Sequence, residues 1–568
     1  MKSETHRTSV MFSPVLLLVS VSVSSCCRVA PVTDCTQPSF VPGHNLVGEG
    51  FDIVRMKTTG AFVVNVQSYI TGGVHGNCTI CRNSLLGREQ KLPSAVTDWR
   101  VKVNCKRSIS ARVFESSSSV LKQSTSSTSV GWKVGLGLPM VGGVAVGGTH
   151  SKSSMFARSH ASQDKFFYTN HEFSCRYYSL RVKAFPPLTK EFIQSVKSLP
   201  PAYNSQSESA YHHFISIYGT HYLRQVNLGG RVKSTTAVRT CQIAMKGLSV
   251  RDVSNCLSAE ASAVIKGVQV KGQTNYCKSK SNKLDNKSGF SASFSDRVTE
   301  VWGGNGGSAD LLFSPDKQHG YTAWMKTLQT VPGVVSYTLT SLHMLVRNDL
   351  ARKAALQKAI SKYVMKNAVA SSCSAKCKVG HRSPDCSCKC GGHQNIDSNC
   401  CPSHPGVATL TVKVERAAGL WGDYFSKTDG YVKVFYGKRG ETTPVIWNND
   451  FPNWNYEVRF GTVNLAHRTS IRFEVWDRDN KWDDNRLGTV NIVPKRGVNV
   501  KKQFGLKHGT LFVSITAICG PNLQGEVCER YTPSPEAERL LTYPELLQNR
   551  RHAWSEENYG TARNVTML

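Results

Sequence analysis

The stretch that decides the fold runs from Tyr211 to Tyr222 and reads YHHFISIYGTHY. It contains an aromatic residue, six further residues, and then a run of aromatic-Gly-Thr-His-aromatic. No Ser/His/Asp or Cys/His constellation accompanies it in the sequence, and a lone histidine such as His221 makes a poor enzyme site. The chain is therefore predicted not to be an enzyme.

A first segment of alternating residues precedes this stretch. Every second residue in it is apolar: Val130, Trp132, Val134, Leu136, Leu138 and Met140, followed by Val144 and Val146. Period two over this length predicts a β-strand with one apolar face, and a membrane strand needs about 9–11 such residues. The neighbouring Ser/Thr-rich run, Ser116–Ser129, is predicted to be too polar to pack in a core.

A second, weaker segment runs from Leu257 to Phe294. Its alternate positions are apolar at Leu257, Ala259, Ala261, Ala263 and Ile265, and later at Phe290, Ala292 and Phe294. Periodicity leaves both segments open to an ordinary half-buried sheet or to small amphipathic helices. Their Gly- and Ser-rich character suggests segments that switch from compact helices to hairpins.

The motif that lies between the two segments resembles the signature of the membrane-attack-complex/perforin (MACPF) family. Gly229-Gly230 and Trp302-Gly303-Gly304 lie where a bent central sheet would need permissive backbone. The resemblance implies two helical clusters, here around 116–165 and 245–295, that unfurl into two transmembrane hairpins of a multi-subunit β-barrel. It also implies a structural role for the signature residues, which are Tyr211, Tyr218, Gly219, Thr220, His221 and Tyr222.

The amino terminus predicts a secreted protein. The basic Arg7 precedes an apolar stretch, 15–23, and the small residues Ser24 and Ser25, which is the layout of a signal peptide over residues 1–26. A short membrane anchor is the alternative, but the apolar stretch is too short to span a bilayer. The 568 residues suggest about three or four domains.

Cysteine content and net charge limit the classes of binding partner that the chain is expected to have. Nineteen cysteines fit an oxidising compartment, and sequons at Asn77, Asn286 and Asn564 fit glycosylation on the secretory route. The formal net charge of +31 calls for an acidic partner. Export argues against nucleic acid, so a phospholipid membrane is predicted, together with a polyanionic granule matrix.

Seven cysteines fall within the 29 residues from Cys373 to Cys401, a segment too short to bury a core. Disulfides are therefore predicted, with zinc as the alternative reading of Cys386, Cys388 and Cys390. After the MACPF-like region, this module resembles an EGF-like element.

Disulfide connectivity is implied by the family resemblance alone, since spacing leaves it open. The implied pairs are Cys27–Cys81, Cys35–Cys78, Cys105–Cys175, Cys241–Cys401, Cys373–Cys386, Cys377–Cys388, Cys390–Cys400 and Cys519–Cys528. Cys256 and Cys277 remain, and a bond between them would clip the second cluster.

The region after the module resembles a C2 domain. Alternation at Leu410, Val412 and Val414 opens a strand-rich block whose loops collect carboxylates. Calcium prefers six to eight oxygen ligands, so a calcium site is predicted, against turn-forming aspartates as the alternative. The candidate ligands are Gly422, Asp423, Asp429, Asn448, Asp450, Asp477, Asp479, Asp483 and Asp484; Asn485 stands where many C2 domains carry another aspartate.

Large aromatic residues occur in the same acidic loops. Trp421 and Tyr424 flank Asp423, and Trp482 precedes Asp483. Exposed aromatics beside acids are unusual on a soluble surface, and insertion into a bilayer interface would explain them. Core packing of one or two of them is the alternative.

The predicted fold class is α+β. The predicted domains are a signal peptide (1–26), a MACPF domain with a bent antiparallel sheet (27–372), an EGF-like module (373–401), an all-β C2 sandwich (402–520) and a C-terminal tail (521–568). A helix is predicted over His343–Lys366, and little strand pattern is found after residue 529. Four leucines of the tail, Leu540, Leu541, Leu546 and Leu547, are predicted to form a short helix or to dock on a neighbour.

The family resemblance implies a secreted, calcium-dependent cytolytic pore-former that is stored in secretory granules. It would bind a target-cell membrane through its C2 domain, oligomerise with itself, and cause lysis or deliver effector proteins. A non-lytic membrane-binding adhesion or signalling protein is the main alternative.

Overall fold

The computed structural model describes residues 27–72, 76–106, 108–126, 132–138, 144–266, 271–284, 290–305, 311–313, 317–373, 377, 379–384, 387–391, 395–424, 426–479, 484–534, 538–542 and 544–545. The predicted signal peptide and the sequons at Asn286 and Asn564 lie outside these residues. Asn77 is exposed at the start of a strand. Within the described residues the fold is α+β.

The strands before the cysteine module are β1 Cys27–Pro31, β2 Glu49–Asp52, β3 Lys57–Phe62, β4 Asn77–Asn83, β5 Arg88–Leu92, β6 Val96–Cys105, β7 Ser110–Phe114, β8 Val144–Ala145, β9 Phe166–Val182, β10 His221–Arg239, β11 Arg297–Trp302, β12 Gly333–Ser341 and β13 Val369–Cys373. The helices are α1 Val32–Thr36, α2 Ser117–Ser126, α3 Lys152–Ala161, α4 Lys190–Ser198, α5 Glu208–Tyr218, α6 Thr240–Met245, α7 Val250–Lys266, α8 Lys271–Asn282, α9 Lys317–Thr327 and α10 Leu350–Lys366.

The later strands are β14 His381–Arg382, β15 Cys388–Lys389, β16 Val407–Ala418, β17 Gly430–Tyr436, β18 Arg439–Thr442, β19 Asn453–Asn464, β20 Ile471–Asp477, β21 Asn485–Ile492, β22 Gly497–Gly505, β23 Thr510–Cys519, β24 Leu523–Gln524, β25 Arg530–Tyr531 and β26 Glu538–Thr542. Two antiparallel sheets, β19-β16-β23-β22 and β18-β17-β20-β21, form the predicted sandwich around a buried apolar core.

The central sheet is built on the long antiparallel pair β9 and β10, which extends from Arg181/Gln225 to Phe166/Arg239. Its path is β3-β2-β10-β9-β6, while β11 and β12 also pair with β10 and β7 pairs with β9. β10 changes neighbours at Gly229 and Gly230, next to a bulge, because β12 pairs before this point and β11 after it.

Glycine is required at this change of neighbours. A side chain on Gly229 would collide with the backbone carbonyl of Cys175, and one on Gly230 would collide with Trp324 and Leu328. Gly303, with a φ of 79°, turns the chain at the end of β11. The sequence prediction that the sheet needs glycine at these positions therefore has a steric cause, since a Cβ atom would clash there.

Two helical clusters interrupt paired strands of this sheet. Cluster 1 (residues 115–165) contains α2 and α3 and lies between β7 and β9; cluster 2 (residues 240–296) contains α6, α7 and α8 and lies between β10 and β11. In the described parts of the two alternating segments, extended structure is limited to the two-residue strand β8. None of the described helices combines the length and apolar character needed to cross a bilayer.

The predicted strand from Val130 onward is wrong for this conformation. The described residues 132–138 form turns, in which Gly135 and Gly137 have φ values of 75° and 61°. The aromatic ring of Trp132 is buried against His221, so tertiary packing overrides the local alternation.

The expectation for the serine-rich run is also wrong. Ser116, Ser117 and Ser118 are buried where α2 begins. The hydroxyl of Ser116 forms hydrogen bonds with those of Ser118 and Ser119. Small side chains that satisfy one another locally therefore pack at low cost.

The helix predicted over His343–Lys366 begins later than expected. A short 3-10 turn, Leu342–Leu345, comes first, and α10 starts at Leu350. The carboxylate of Asp349 accepts a hydrogen bond from the Arg352 backbone amide and caps the helix. The cap, which composition alone did not locate, decides the boundary.

The tail docks on a neighbouring element, one of the two outcomes expected for it, and it does so as a β-strand and not as a helix. β26 pairs with β13, which in turn pairs with β8 of cluster 1. Leu541 is buried in this small sheet. The edge of β13 is available only in the folded chain, so hydrophobic spacing in the tail did not reveal it.

Disulfides join the parts of the chain. The bonds between described residues are Cys27–Cys81, Cys35–Cys78, Cys105–Cys175, Cys241–Cys401, Cys256–Cys277, Cys377–Cys388, Cys390–Cys400 and Cys519–Cys528. Cys386 and the side chain of Cys373 lie outside the described part of the structure. Cys241–Cys401 ties the start of cluster 2 to the cysteine module.

Candidate calcium and membrane site

Three loops meet at one end of the sandwich. Loop 1 (419–429) connects β16 and β17, loop 2 (443–452) connects β18 and β19, and loop 3 (478–484) connects β20 and β21. Three carboxylates, Asp423 of loop 1, Asp477 at the end of β20 and Asp479 of loop 3, place oxygens within 4.8 Å of one another.

Asp477 is the buried floor of this group. Its Oδ1 accepts a 2.6 Å hydrogen bond from the backbone amide of Asp429, whereas its buried Oδ2 has no hydrogen-bond partner. Burial, and then the negative charges of Asp479, Asp423 and Asp429, raise the pKa of Asp477 to about 6. An orphaned carboxylate oxygen among other carboxylates is the environment that a bound cation stabilises.

Gly422 allows this close approach. A side chain at position 422 would overlap the carboxylate of Asp477. Residue 422 therefore contributes to the site by lacking a side chain, and its carbonyl remains a proposed ligand.

The other predicted ligands take different positions. Asp450 braces loops 1 and 2, since its Oδ1 accepts from the backbone amide of Thr428. Asp429 accepts a hydrogen bond from the backbone amide of Asn448, and Asp484 accepts one from the hydroxyl of Tyr431. Asp483 lies outside the described residues.

Asn485, at the position where aspartate was considered, donates a hydrogen bond from its side chain to Asp479. Its donated bond of 3.0 Å orients the Asp479 carboxylate. Burial and the charges of Asp423, Asp484 and Asp429 raise the pKa of Asp479. Asn485 thus donates a hydrogen bond to Asp479, whereas an aspartate at this position would add a further negative charge beside it.

Large aromatic side chains project from the same end. Trp421 and Tyr424 are 45% and 85% exposed, and their rings meet edge to face at 5.1 Å. Trp421 also contacts the ring of His508 at 5.0 Å. Trp482 lies outside the described residues. Core packing is thus excluded for Trp421 and Tyr424.

The signature residues form a buried corner between α5 and β10. Tyr211 and Tyr218 pack inward, and the hydroxyl of Tyr211 donates to the carbonyl of Pro200. Gly219, with a φ of 74°, turns the chain where a side chain would strike the backbone of Phe51. Tyr222 is buried in β10.

Thr220 and His221 complete the corner. The hydroxyl of Thr220 accepts from the backbone amide of Ile53 and lies 2.8 Å from His221 Nδ1. His221 Nε2 donates to the carbonyl of Trp132, and burial lowers the pKa of His221 to about 4. A neutral histidine with both nitrogens engaged in structural bonds has no proton-transfer task here.

The family follows from comparison of the whole chain. A family model described as the MAC/Perforin domain matches residues 40–373, which is more than half of the chain. The chain belongs to the MAC/perforin family. A C2 domain model matches residues 408–506.

The relatives of this MAC/perforin protein cover nearly its full length. Perforin-1 of Rattus norvegicus is 37% identical over 534 residues, covering 91% of this chain and 96% of the relative. Perforin-1 of Homo sapiens is 37% identical, covering 89% and 93%. The crystal structure of GNIP1Aa from Chromobacterium piscinae covers 89% of this chain and 92% of its own, at 11% identity and a TM-score of 0.42.

The chain is therefore a non-enzymatic, perforin-like member of a pore-forming family that carries a C2 membrane-binding domain. The acidic loops and their exposed aromatic residues thus belong to the C2 domain.

Sequence reasoning missed two aromatic residues of this MAC/perforin protein. Trp447 and Phe451 in loop 2 are 63% and 68% exposed. They flank Asn448 and Asp450, so the reasoning applied to Trp421 and Tyr424, an aromatic beside an oxygen-bearing side chain, would have found them. Among their described residues, loops 1 and 2 together present four large exposed aromatic side chains.

Proposed function

We propose that this protein is a secreted, calcium-dependent cytolytic pore-former. Its C2 loops bind the phospholipid membrane of a target cell, copies of the chain oligomerise, and each inserts two hairpins into a transmembrane β-barrel. The pore lyses the cell or admits effector proteins, and the protein is stored in secretory granules, where its net charge of +31 suits a polyanionic matrix.

The carboxylate group of the C2 loops is the observation that carries the calcium dependence. Asp423, Asp477 and Asp479 form the centre, and Asp429 lies beside Asp477. A bound calcium ion would supply the positive charge that these oxygens lack and prefers oxygen donors of this kind. Asp429 and Asp484 are the proposed additional ligands, with Gly422, Asn448, Asp450 and Asp483 as further candidates.

The exposed aromatics support membrane attachment. Trp421, Tyr424, Trp447 and Phe451 project from loops 1 and 2 on the end of the domain that carries the carboxylates. Tryptophan and tyrosine partition favourably to the bilayer interface, and phenylalanine adds apolar area. Trp482 is proposed to add to them.

The register of β7 and β9 supports hairpin formation by cluster 1. The residue numbers of each pair between these strands, such as Phe114 and Tyr168, add up to 282. The same register continued into cluster 1 would set Leu136 opposite Val146 and Leu138 opposite Val144. All four apolar residues then share one face, as a lipid-facing strand requires.

Dye release from phosphatidylcholine vesicles tests the proposal. We expect release with calcium and none with chelator, and a D423N/D429N/D479N variant should lose both binding and release. The matched control E441Q/E457Q/E526Q removes three exposed carboxylates away from the loops, two in the sandwich and one in the segment that follows it, and should behave as the unmodified protein. Calcium-dependent binding without release would indicate the non-lytic alternative, and calcium-independent binding would contradict the loop argument.

The aromatic tips have a separate test. W447A/F451A should weaken vesicle binding at saturating calcium while leaving the calcium-dependent rise in melting temperature unchanged, because neither side chain belongs to the carboxylate group. Unchanged vesicle binding would remove loop 2 from the membrane-binding surface.

A further inference from the structure

Cluster 2 contains a disulfide that joins two of its helices. Cys256 of α7 and Cys277 of α8 are bonded, with 5.4 Å between their Cα atoms. Because hairpin insertion requires both helices to become strands, a covalent bond between them would be expected to stabilise the helical form and oppose insertion. The register of the neighbouring strands contradicts that reading.

β10 and β11 flank cluster 2 and are already paired. Arg231 faces Trp302, Val232 faces Val301 and Thr236 faces Arg297, so the residue numbers of each pair add up to 533. No bulge interrupts this pairing. The numbers of Cys256 and Cys277 also add up to 533, so the same register continued into cluster 2 sets the two cysteines directly opposite each other.

A directly opposed antiparallel pair meets the geometry of a disulfide. Opposed Cα atoms in such a pair lie about 4.5–5.5 Å apart, and disulfides join Cα atoms about 4.4–6.8 Å apart. The 5.4 Å separation in the helical form falls in the same range. The bond therefore fits both conformations.

We infer that the Cys256–Cys277 disulfide stays intact through insertion and becomes a cross-strand staple that sets the register of the second hairpin. This rests on the hairpin insertion proposed above. The cysteines are then positioning residues, because the S–S bond neither forms nor breaks and holds the two strands in one alignment.

The alternation of side chains along a strand places the Cys256–Cys277 disulfide on the water-filled side of the barrel. In a strand, Cys256 shares its face with Ser254, Ser258, Glu260 and Ser262, all of them polar. Opposed residues of an antiparallel pair lie on the same side of the sheet. Cys277, Asn275 and Ser279 therefore join this polar face, which is the lumen side.

The opposite face has the composition that lipid requires. Leu257, Ala259, Ala261, Ala263 and Ile265 span nine residues, 257–265, and the positions between them are polar except Val264. Nine residues lie within the length of about 9–11 that a membrane strand needs. The register sets Tyr276 opposite Leu257, at the border of this apolar band, where aromatic girdles occur in membrane barrels. The centre of the register falls between positions 266 and 267, and the glycine at 267 suits a tight turn.

Vesicle assays with intact and cysteine-free cluster 2 test the inference. Oxidised wild type and C256S/C277S should release dye at rates within about twofold of each other, since the bond opposes neither state. Mass spectrometry of the inserted oligomer should recover Cys256 linked to Cys277. A C256S/C277S variant that releases dye about tenfold faster than wild type, or an inserted oligomer with both thiols free, would overturn the staple.

Relocated cysteines test the register itself. In the C256S/C277S background, S254C/S279C conserves the number sum of 533 and should cross-link under copper phenanthroline in the inserted oligomer. In the helical form, two residues rotate each side chain by roughly 200°, so little cross-linking is expected before insertion. S254C/K280C, one residue out of register, should cross-link weakly in the pore, and equal cross-linking of both would contradict the register.

The outcomes separate this inference from the function on which it rests. No dye release by any variant, despite calcium-dependent binding, would remove the pore itself. Release with the wrong cross-linking pattern, or with reduced cysteines, would remove only the staple.

Discussion

The two helical clusters have the same place in the topology but are held by different chemistry. Each interrupts two strands that are already paired in the central sheet, β7 and β9 for cluster 1, and β10 and β11 for cluster 2. Cluster 2 is held mainly by buried apolar side chains, whereas cluster 1 combines buried apolar residues, such as Val120, Trp132 and Ala157, with polar contacts and the tail. Similar topology thus does not imply similar control of release.

Cluster 2 belongs to the main hydrophobic core. Leu257, Val253, Ala261 and Val264 on one face of α7 are buried there. The carboxylate of Glu260 accepts hydrogen bonds from the backbone amides of Phe290 and Ser291, which closes the end of the cluster. Apolar burial is insensitive to salt, so we expect release of cluster 2 to depend on packing.

Cluster 1 is attached by polar groups in addition to its buried apolar residues. Ser153 accepts a hydrogen bond from the ammonium of Lys233 and donates one to Glu300, and His160 lies 2.7 Å from Asp296. Asp164, at the end of the cluster, is fully buried and accepts from the hydroxyl of Tyr531. Ionic contacts and the C-terminal segment therefore restrain this cluster.

The largest expected effect is on cluster 2 from Leu257→Ala. Deleting a fully buried leucine leaves a cavity and should cost about 3 kcal/mol of local stability. Hydrogen–deuterium exchange in α7 should rise at every salt concentration, while exchange in α3 stays unchanged. Asn255→Ala, on the exposed face of α7, is the matched control; equal protection of α7 in L257A and N255A would show that the core does not hold the cluster.

Both clusters should loosen in acid through one buried histidine each. His171 Nε2 lies 3.1 Å from the Ser258 hydroxyl of cluster 2, and burial, with Arg297 nearby, lowers the pKa of His171 to about 4. His221 donates to Trp132 of cluster 1, and burial, with His343 nearby, lowers its pKa to about 4 as well.

The sign of this effect follows from linkage. The unfolded chain, with histidine pKa near 6.5, binds more protons than the folded chain between pH 6.5 and 4. The free energy of unfolding therefore has its full value above pH 6.5 and decreases between pH 6.5 and pH 4, by about 3 kcal/mol for each histidine. Thermal unfolding across this range should show the loss, and H221N should flatten the profile. An identical pH slope in H221N would exclude this histidine as a source.

A smaller effect is expected from Ser153→Ala in cluster 1. The change removes both hydrogen bonds of the hydroxyl and leaves the half-buried Lys233 with one partner fewer, at a cost of about 2 kcal/mol. Exchange in α3 should rise, and more so at low salt, with α7 unaffected. The exposed Ser159, on the same helix, offers the control S159A; a rise in α7 exchange would mean that the clusters open together.

The smallest expected effect is from Tyr531→Phe, which tests the tail as a restraint. Removing the hydroxyl deprives the buried Asp164 of one donor, although the backbone amide of Ser534 still donates to it. We expect a loss of about 1 kcal/mol, seen as faster exchange near residues 160–165. Tyr456→Phe in the C2 domain is the control, and equal exchange in the two variants would separate the tail from cluster 1.

Much of the candidate site could be predicted because its signals are local. Asp423, Asp477 and Asp479 stand close to turn residues and strand ends that mark the loops of a C2 domain. The roles within the group could not be predicted, because the burial of Asp477 and the use of Asp450 as a brace depend on how the loops pack. Trp447 and Phe451 were missed although the same local signal applies to them.

The sequence by itself determined the family, through the motif ending in Tyr218-Gly219-Thr220-His221-Tyr222, and the alternation that suits both clusters to become hairpins. These features depend on neighbouring residues, so spacing reveals them. Only the tertiary structure decided that the alternating segments are stored as helices and turns, that β26 docks on β13, and that Cys256 and Cys277 fall in the register of β10 and β11. Each depends on contacts between residues far apart in the chain, whose partners exist only once the chain is folded.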